Sequence, residues 1–324
     1  MMNNKYIGHE HQIYGVEEYR LQGTKGDGMR FLNVRNGKGL EVWISLDRCG
    51  DLSRVTFKGD NFGYFAPCGY VHPSYYEKDG VSFLKSFTAG FITTCGLWAV
   101  GNPCTDEGED LPLHGTISNI PCENHMYYEK DGKLYIELTV RDAYFSSRKM
   151  LLERQYCIDL DKNTITLTDK ITNIGSQTTP VEVLYHCNMG YPLLSENSII
   201  QIPAEKTEPR GDYAKSFLDE CLNSQVPTKN YQEVCFYHKM TGTAVVSIKN
   251  PDICKKLTMT YDTKELPFFT QWKMMGEYEY VMGLEPGNCH PDGRDVMRKQ
   301  GLLEFLEPTK SRTQQIRFDF TEEK

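Results

Sequence analysis

The strongest constraint on the fold is an alternation of apolar and polar residues with a period of two. It is clearest in residues 40–46, Leu-Glu-Val-Trp-Ile-Ser-Leu, and in residues 133–140, Lys-Leu-Tyr-Ile-Glu-Leu-Thr-Val. Successive side chains of a strand point to opposite faces, so this alternation indicates half-buried strands. Strands do not alternate with long helical patterns, which argues against a parallel α/β sheet. The sequence therefore predicts an all-β fold, a large antiparallel β-sandwich with few short helices.

Further segments show the same β-like character, and turn signals separate several of them. Asp131-Gly132 joins residues 126–130 to 133–140 and supplies the positive φ angles of a type I′ hairpin. The best helical signal covers residues 213–222, and the Gly-, Pro- and Cys-rich region 62–115 is expected to form long ordered loops. The remaining predicted strands are residues 155–160, 164–171, 181–186, 199–202, 234–238, 243–248, 256–261, 268–273, 278–284 and 314–320.

Composition excludes several classes of function. Hydrophobic residues make up 39% of the 324 residues, enough for a buried core. The net charge is -8 and no Lys/Arg run occurs, so a nucleic-acid partner is not expected. No apolar run reaches the roughly 18 residues that would cross a membrane. We predict a single domain over residues 1–324, with residues 1–30 as an N-terminal extension packed on it, and leave a homodimer open.

The eleven cysteines do not form a recognisable disulfide or zinc pattern. Their number is odd, they are scattered, and no Cys-x-x-Cys pair occurs. No apolar stretch of a signal peptide follows the first residues, so reduced thiols in the cytoplasm are expected. A helical His-x-x-x-His pair is also missing. The sequence predicts neither a metal nor an organic cofactor.

Three short segments offer groups suited to proton transfer. Leu113-His114-Gly115, Tyr185-His186-Cys187-Asn188 and the segment from Gly283 to Asn288, which contains Glu285, supply two imidazoles and one carboxylate. Positions i and i+2 of a strand share a face, so Asn188 is expected beside His186. Pro286-Gly287 is expected to end the strand after Glu285. Each residue also has an ordinary interpretation, as a loop histidine, a satisfied core histidine and a solvated glutamate.

The order and context of these segments resemble the galactose mutarotase (aldose 1-epimerase) superfamily. Its members carry an early His-Gly, a central His two residues before an Asn, and a late Glu at a strand end, and the match spans about residues 30–320. Segments 46–52 and 89–97 are similar to a bacterial branch of the superfamily rather than to its typical enzymes. The resemblance implies a β-supersandwich and a monosaccharide or sugar-derivative substrate whose α and β anomers are interconverted.

The resemblance also implies roles for the three residues. Glu285 would be the ionised base that removes the proton of the C1 hydroxyl, and His186 would be the protonated acid that donates a proton to the ring oxygen. The nearby carboxylate is expected to keep His186 charged near neutral pH. His114 would donate a hydrogen bond near the ring oxygen.

One departure concerns the arginine that contacts sugar hydroxyls in typical members. Residues 88–97, where it is expected, contain none. Arg48 or Lys85 could replace it, although a lysine does not reproduce the planar fork of arginine. A substrate other than free galactose is therefore expected.

Other residues are candidates for binding the sugar. Asn188 can hold a hydroxyl, and Trp98, Trp272 and Tyr191 can form apolar walls, although packing in the core is an alternative role for these aromatics. Asp262 is a further candidate for substrate binding.

Two other functions stay open at this point. A non-catalytic sugar-binding or regulatory protein could use the same fold, because fold does not fix function. A polysaccharide lyase or glycoside-processing enzyme would need a paired-carboxylate or a Tyr/His arrangement, and Asp262 with Glu285 is the late pair of carboxylates that the sequence offers.

Overall fold

A computed structural model describes residues 5–323, most of which lie in β-strands or their connections. The described residues contain two short helices, α1 (Gly211–Lys215) and α2 (Arg294–Lys299). Single 3₁₀ turns occur at Glu10–Gln12, Pro73–Tyr75, Ser82–Lys85, Ile117–Asn119 and Leu218–Glu220. The strands in chain order are β1 (Gly15–Arg20), β2 (Arg30–Arg35), β3 (Leu40–Ser45), β4 (Asp51–Phe57), β5 (Asp60–Asn61), β6 (Tyr64–Phe65), β7 (Ala89–Gly90), β8 (Ile92–Leu97), β9 (Cys104–Asp106), β10 (Glu109–Leu111), β11 (Asn124–Lys130), β12 (Lys133–Ala143), β13 (Lys149–Asp159), β14 (Thr164–Asn173), β15 (Thr179–Met189), β16 (Ile199–Gln201), β17 (Lys206–Pro209), β18 (Val234–Lys239), β19 (Thr243–Asn250), β20 (Lys255–Asp262), β21 (Phe268–Met275), β22 (Tyr280–Gly287), β23 (Glu304–Leu306) and β24 (Ser311–Glu322).

The strands form three main antiparallel sheets. Strands β1 to β5 follow one another in a five-stranded sheet. The eight-stranded sheet has the order β11-β12-β13-β14-β24-β20-β19-β16. The seven-stranded sheet has the order β17-β18-β21-β22-β15-β23, with β8 also paired to β15. Two small sheets join β9 to β10 and β6 to β7. The predicted all-β antiparallel sandwich is confirmed.

The period-two pattern places alternate side chains in the core. In β12, Leu134, Ile136 and Leu138 are buried, while the residues between them are more accessible. One cluster of buried side chains includes members of all three sheets, such as Val42, Ile136 and Val183. The single-domain assignment stays a prediction, and β1 belongs to the five-stranded sheet through its pairing with β2.

Several boundaries differ from those predicted. The hairpin turn is confirmed, because Asp131 and Gly132 have φ angles of 51° and 71°. The predicted helix at residues 213–222 is divided between α1 and the 3₁₀ turn Leu218–Glu220. Pro286 does not end its strand, since β22 continues to Gly287. In the pairing of β15 with β22, Leu184 pairs with Gly287 and Cys187 with Leu284, whereas Pro286 has no partner in β15. The missing N–H of Pro286 therefore does not prevent β15 and β22 from pairing on both sides of it.

None of the helices in residues 5–323 is long and apolar enough to cross a membrane.

A buried polar network around Arg154 joins strands of the different sheets. The side chain of Arg154 on β13 is fully buried, and each N–H of its guanidinium has an acceptor. Bidentate bonds of 2.9 and 2.7 Å reach Asp169 on β14, and further bonds reach Asp51 on β4 at 2.6 Å and Thr94 on β8 at 2.8 Å. The remaining N–H donates to the carbonyl of Cys49. A buried charge with this many partners fixes the relative positions of the strands that carry them.

Removal of one member of this network should destabilise the fold strongly. In Arg154→Met, the carboxylates of Asp51 and Asp169 lose their buried counter-charge, so the free energy of unfolding should fall by about 3–5 kcal/mol. Urea denaturation followed by circular dichroism measures the change.

The adjacent cross-strand pair provides a matched control. Glu153 and Lys170 neighbour Arg154 and Asp169 in the same register but are half exposed. Lys170→Met should cost no more than about 1 kcal/mol. Equal losses for the two variants would contradict the importance assigned to the buried network.

Candidate active site

A cavity of about 500 Å³ lies on the seven-stranded sheet, beneath the loops that follow β6 and precede β7. Strands β15, β18, β21 and β22 supply its floor, and residues near 64–68, 81–87 and 101–103 supply its walls. The side chains of His114, His186 and Glu285 all line this cavity. The structure therefore brings together three residues that are up to 171 positions apart in the sequence (285 minus 114).

The register between β15 and β22 brings His186 and Glu285 together. Leu184 is opposite Gly287 and Cys187 is opposite Leu284, so His186 lies across from Glu285. Nε2 of His186 is 3.2 Å from Oε1 of Glu285, and the two residues are only 6% and 2% exposed. Within the described residues, this carboxylate oxygen has no hydrogen-bond partner, so the pair is in contact without being aligned for a mutual bond.

Gly283 leaves the room that the carboxylate of Glu285 occupies. The two residues are two positions apart on β22 and therefore share a face. A Cβ atom at position 283 would overlap Oε1 of Glu285 and would lie 3.2 Å from the Cβ of Trp272. The absence of a side chain at Gly283 lets Glu285 fold back along the sheet toward His186.

Asn188 contacts the backbone of His186. Its side-chain amide donates to the backbone carbonyl of His186 over 2.8 Å, and the residue is fully buried. Asn188 is not among the residues that line the cavity. The shared face expected from the strand geometry is what brings Asn188 close enough to raise the pKa of His186, against the larger effect of burial.

His114 reaches the same cavity from a loop in an unusual backbone conformation. Its φ angle is 59° and that of Gly115 is 70°. A Cβ atom at Gly115 would meet the carbonyls of Gly96 and Ala99, so only glycine fits there. The imidazole of His114 lies perpendicular to that of His186, with ring centroids 5.6 Å apart.

Burial controls the protonation of the site. It lowers the pKa of His186 to about 4 and that of His114 to about 3, where the positive charges of His186 and Arg210 contribute as well. Burial also raises the pKa of Glu285 well above its ordinary value. The expectation that His186 is charged near neutral pH is therefore wrong, because burial disfavours its imidazolium form. Burial therefore disfavours the charged form of both His186 and Glu285.

Several polar atoms in the cavity wall have no partner within residues 5–323. They are Oγ1 of Thr270, Nδ1 of His114, Nδ1 of His186 and Oε1 of Glu285. Thr270 is fully buried and lies directly opposite Glu285 in the pairing of β21 with β22. Buried polar groups normally have hydrogen-bond partners, so a wall of this kind fits a ligand rich in hydroxyl groups.

Arg210 supplies a cation that sequence reasoning missed. It lines the cavity directly before α1, and its Nε lies 2.9 Å from Oδ1 of Asp292 in an ion pair. Nη2 donates to the carbonyl of Pro291 over 3.0 Å. These contacts hold the guanidinium near His114 and Glu285, and its charge counteracts the rise in the pKa of Glu285. No local motif marks Arg210, so only the tertiary structure reveals it.

The two cations predicted for this role lie elsewhere. Arg48 is 6% exposed and donates to the carbonyl of Val71 over 3.0 Å, away from the cavity. Lys85 is on the surface, where it pairs with Glu77. Neither residue lines the cavity, because the side chain of Arg48 is buried against Val71 and that of Lys85 is exposed beside Glu77.

Of the predicted aromatic and acidic residues, some line the cavity and others lie outside it. Trp272 lines the cavity, with its ring 5.3 Å from that of His186. Trp98 is buried, and its indole N–H donates to Asp142 over 2.9 Å. Tyr191 is 72% exposed and Asp262 is a surface residue at the end of β20, and neither lines the cavity. Thr270 could have been found from the sequence, because it shares the face of Trp272 two positions away.

Within residues 5–323, no group of three or more His, Cys, Asp or Glu side chains is placed to hold a metal ion.

Comparison with protein families and curated sequences gives one match. The model of the family described as "Domain of unknown function (DUF4432)" matches residues 26–320. A comparison with curated proteins found no match.

Comparison with solved structures gives extensive similarity. A proposed aldose 1-epimerase from Klebsiella pneumoniae subsp. pneumoniae MGH 78578 has a TM-score of 0.91 and 25% identity, over 97% of this chain and 86% of that one. A galactose mutarotase-like protein from Clostridium acetobutylicum has a TM-score of 0.67 and 14% identity, over 96% and 99%. Galactose 1-epimerase from Lactobacillus acidophilus NCFM has a TM-score of 0.64 and 13% identity, over 96% of this chain and 100% of that one. The fold is galactose mutarotase-like, and the resemblance drawn from the sequence is confirmed.

Gly283→Ala should displace the carboxylate of Glu285 without unfolding the protein, because the end of a flexible side chain can move away from the new methyl group. The distance from Nε2 of His186 to Oε1 should increase beyond 3.2 Å, and the pH titration of His186 should change. Crystallography and NMR of the histidine side chains measure these effects. Gly276→Ala is the control, because its Cβ would meet nothing closer than 3.4 Å. An unchanged Glu285 in Gly283→Ala would contradict this account.

Proposed function

Since the chain belongs to the DUF4432 family and has a galactose mutarotase-like fold, we propose that it is an aldose 1-epimerase. It interconverts the α and β anomers of an aldose or sugar derivative by general acid–base catalysis. The observation that carries the proposal is the buried contact of 3.2 Å between His186 and Glu285 inside a cavity with unpartnered polar walls. The pair can exchange protons with a sugar hydroxyl and a ring oxygen within one site.

The reaction needs one base and one acid. Glu285 takes the proton of the C1 hydroxyl, the C1–O5 bond breaks, and its electron pair goes to the ring oxygen. His186 gives that oxygen a proton, and C1 becomes the carbonyl carbon of an open-chain aldehyde. Rotation about C1–C2 presents the other carbonyl face, and the reverse transfers close the ring. The pair gains one proton and gives one up, so no cofactor is required for balance.

The protonation state of the site is compatible with these roles. The pair can hold one proton in two ways. Either Glu285 and His186 are both neutral, or Glu285 is a carboxylate and His186 an imidazolium. The two arrangements differ only in the position of one proton across 3.2 Å. The second arrangement is the reactive one, and the positive charge of Arg210 favours an ionised Glu285. Hydroxyl groups of a bound sugar would solvate this charged form, whereas apolar surroundings favour the neutral one.

Other cavity residues would bind and orient the sugar. Thr270 and His114 offer unpartnered polar atoms, and Trp272 offers an apolar face next to His186. Arg210 is the available replacement for the arginine of typical superfamily members. Asn188 is proposed to position His186 rather than to contact substrate.

The proposal is tested by exchange NMR of anomeric protons over a panel of aldoses and sugar derivatives, with the uncatalysed rate subtracted. We expect at least one sugar to exchange faster with the protein present. A non-catalytic sugar-binding protein would instead bind a panel member without accelerating its exchange. That outcome would refute the enzymatic proposal.

Glu285→Gln should reduce turnover on the best substrate by about two to four orders of magnitude, the usual share of acid–base catalysis. The amide fills the same space but cannot accept the C1 hydroxyl proton, so substrate affinity should change far less. His186→Asn should have a similar effect on turnover, whereas His114→Asn should mainly weaken binding. Glu208→Gln, at an exposed position outside the cavity, is the control. Wild-type exchange by Glu285→Gln would require a different base.

Activity should persist in acid to a pH well below the ordinary pKa of histidine. The active pair carries one proton, and a second proton inactivates it only as the pH falls toward about 4, because burial lowers the pKa of His186. Loss of the single proton limits activity at high pH and is delayed by the raised pKa of Glu285. The pH profile of kcat/KM measures both limits. An acid limb centred near pH 6.5, the ordinary pKa of histidine, would contradict the role assigned to burial.

A further inference from the structure

The cavity contains a carboxylate that the proposed chemistry does not use. Glu233 lines the cavity just before β18, and its Oε2 accepts a hydrogen bond of 2.7 Å from the indole N–H of Trp272. The ring of Trp272 in turn contacts that of His186, with centroids 5.3 Å apart. Glu233 is therefore linked to the acid–base pair through one aromatic side chain.

The charges of the cavity wall are mostly negative. Glu233 and Glu279 line it in addition to Glu285, whose charged form burial disfavours. Arg210 is the one Lys or Arg side chain among the described residues that lines it. Part of the guanidinium of Arg210 is already used, because Nε binds Asp292 and Nη2 binds the carbonyl of Pro291. A phosphate or carboxylate on a sugar would therefore meet at least one uncompensated glutamate, with only part of one arginine to offset it.

We propose that Glu233 is a specificity-determining residue, which excludes anionic sugars by charge and holds Trp272 against His186 by hydrogen bonding. The inference rests on the proposed epimerase activity and deepens it: the substrate is an aldose without a phosphate or carboxylate group. The two roles of Glu233 separate chemically, because repulsion needs the negative charge whereas the bond to Trp272 needs only an acceptor oxygen.

The charge of Glu233 also acts on the base. It is one cause of the raised pKa of Glu285, after burial. Removal of this charge should therefore lower the pKa of Glu285 and move the alkaline limb of kcat/KM to lower pH. The other titratable or charged groups that interact with Glu285 are His186, Arg210, Cys95, Cys187 and Cys235, and none of them changes in this experiment.

The test compares three probes: the best aldose of the panel, its 6-phosphate and its uronate. Wild-type protein should prefer the aldose by about tenfold or more in kcat/KM, and Glu233→Gln should reduce that preference about tenfold, a size expected for one charge at a partly exposed site. The amide retains an acceptor for Trp272, so Glu233→Gln should affect the anionic probes far more than the neutral aldose. Glu233→Ala removes the acceptor too, and should lower kcat on all probes and shift tryptophan fluorescence. Glu277→Gln, at an exposed position outside the cavity, is the matched control.

The outcomes separate this inference from the proposed function. Dissociation constants of the same probes, measured by calorimetry, report charge discrimination even without turnover. If no aldose is epimerised but the neutral sugar still binds better in a Glu233-dependent manner, the epimerase proposal fails and the charge selection stands. If turnover is present and depends on Glu285, but the 6-phosphate is used as well as the aldose or Glu233→Gln leaves the preference unchanged, the inference about Glu233 is overturned.

Discussion

The buried guanidinium of Arg154 is the interaction on which the arrangement of the sheets depends. Through Asp169 it also reaches the seven-stranded sheet, because the hydroxyl of Tyr185 on β15 donates to Asp169 over 2.7 Å. Tyr185 precedes His186, so the two side chains point to opposite faces of the strand. The network in the core therefore holds β15 from one side while His186 faces the cavity on the other. The position of the proposed acid follows from a contact made within the core.

Burial that stabilises the sheet also sets the chemistry of the site. The strands that carry His186 and Glu285 are inner strands of the seven-stranded sheet, so both side chains emerge where little water reaches them. Desolvation penalises each charged form and drives the pair toward a neutral state with one proton. A polar ligand can reverse this preference by solvating charges that the protein leaves unpaired.

Sequence reasoning reached the fold because the period-two pattern is a local property that tertiary contacts reinforce. It also selected His114, His186 and Glu285, which the structure brings into one cavity, from short motifs and a family resemblance. The protonation of His186 was predicted wrongly, because the balance between Coulomb attraction and desolvation depends on burial that no sequence pattern states. Pro286 was expected to end its strand, and the interrupted pairing that accommodates it appears only in three dimensions.

The position of Arg210 could not be predicted from the sequence. Sequence comparison looks for a cation at a fixed place in a motif, whereas the chemistry needs a positive charge at a fixed place in space. Arg210 reaches that region from the segment before α1 and is oriented by Asp292. Arg48 and Lys85 are closer in sequence to the motif but lie outside the cavity. Because the partner carboxylate offsets part of its charge, Arg210 can stabilise an ionised Glu285 or bind a hydroxyl, but it is poorly placed to neutralise an anionic substrate group alone. A substrate of the proposed kind would therefore have to suit a partly neutralised arginine beside carboxylates, a condition that residues 88–97 do not show.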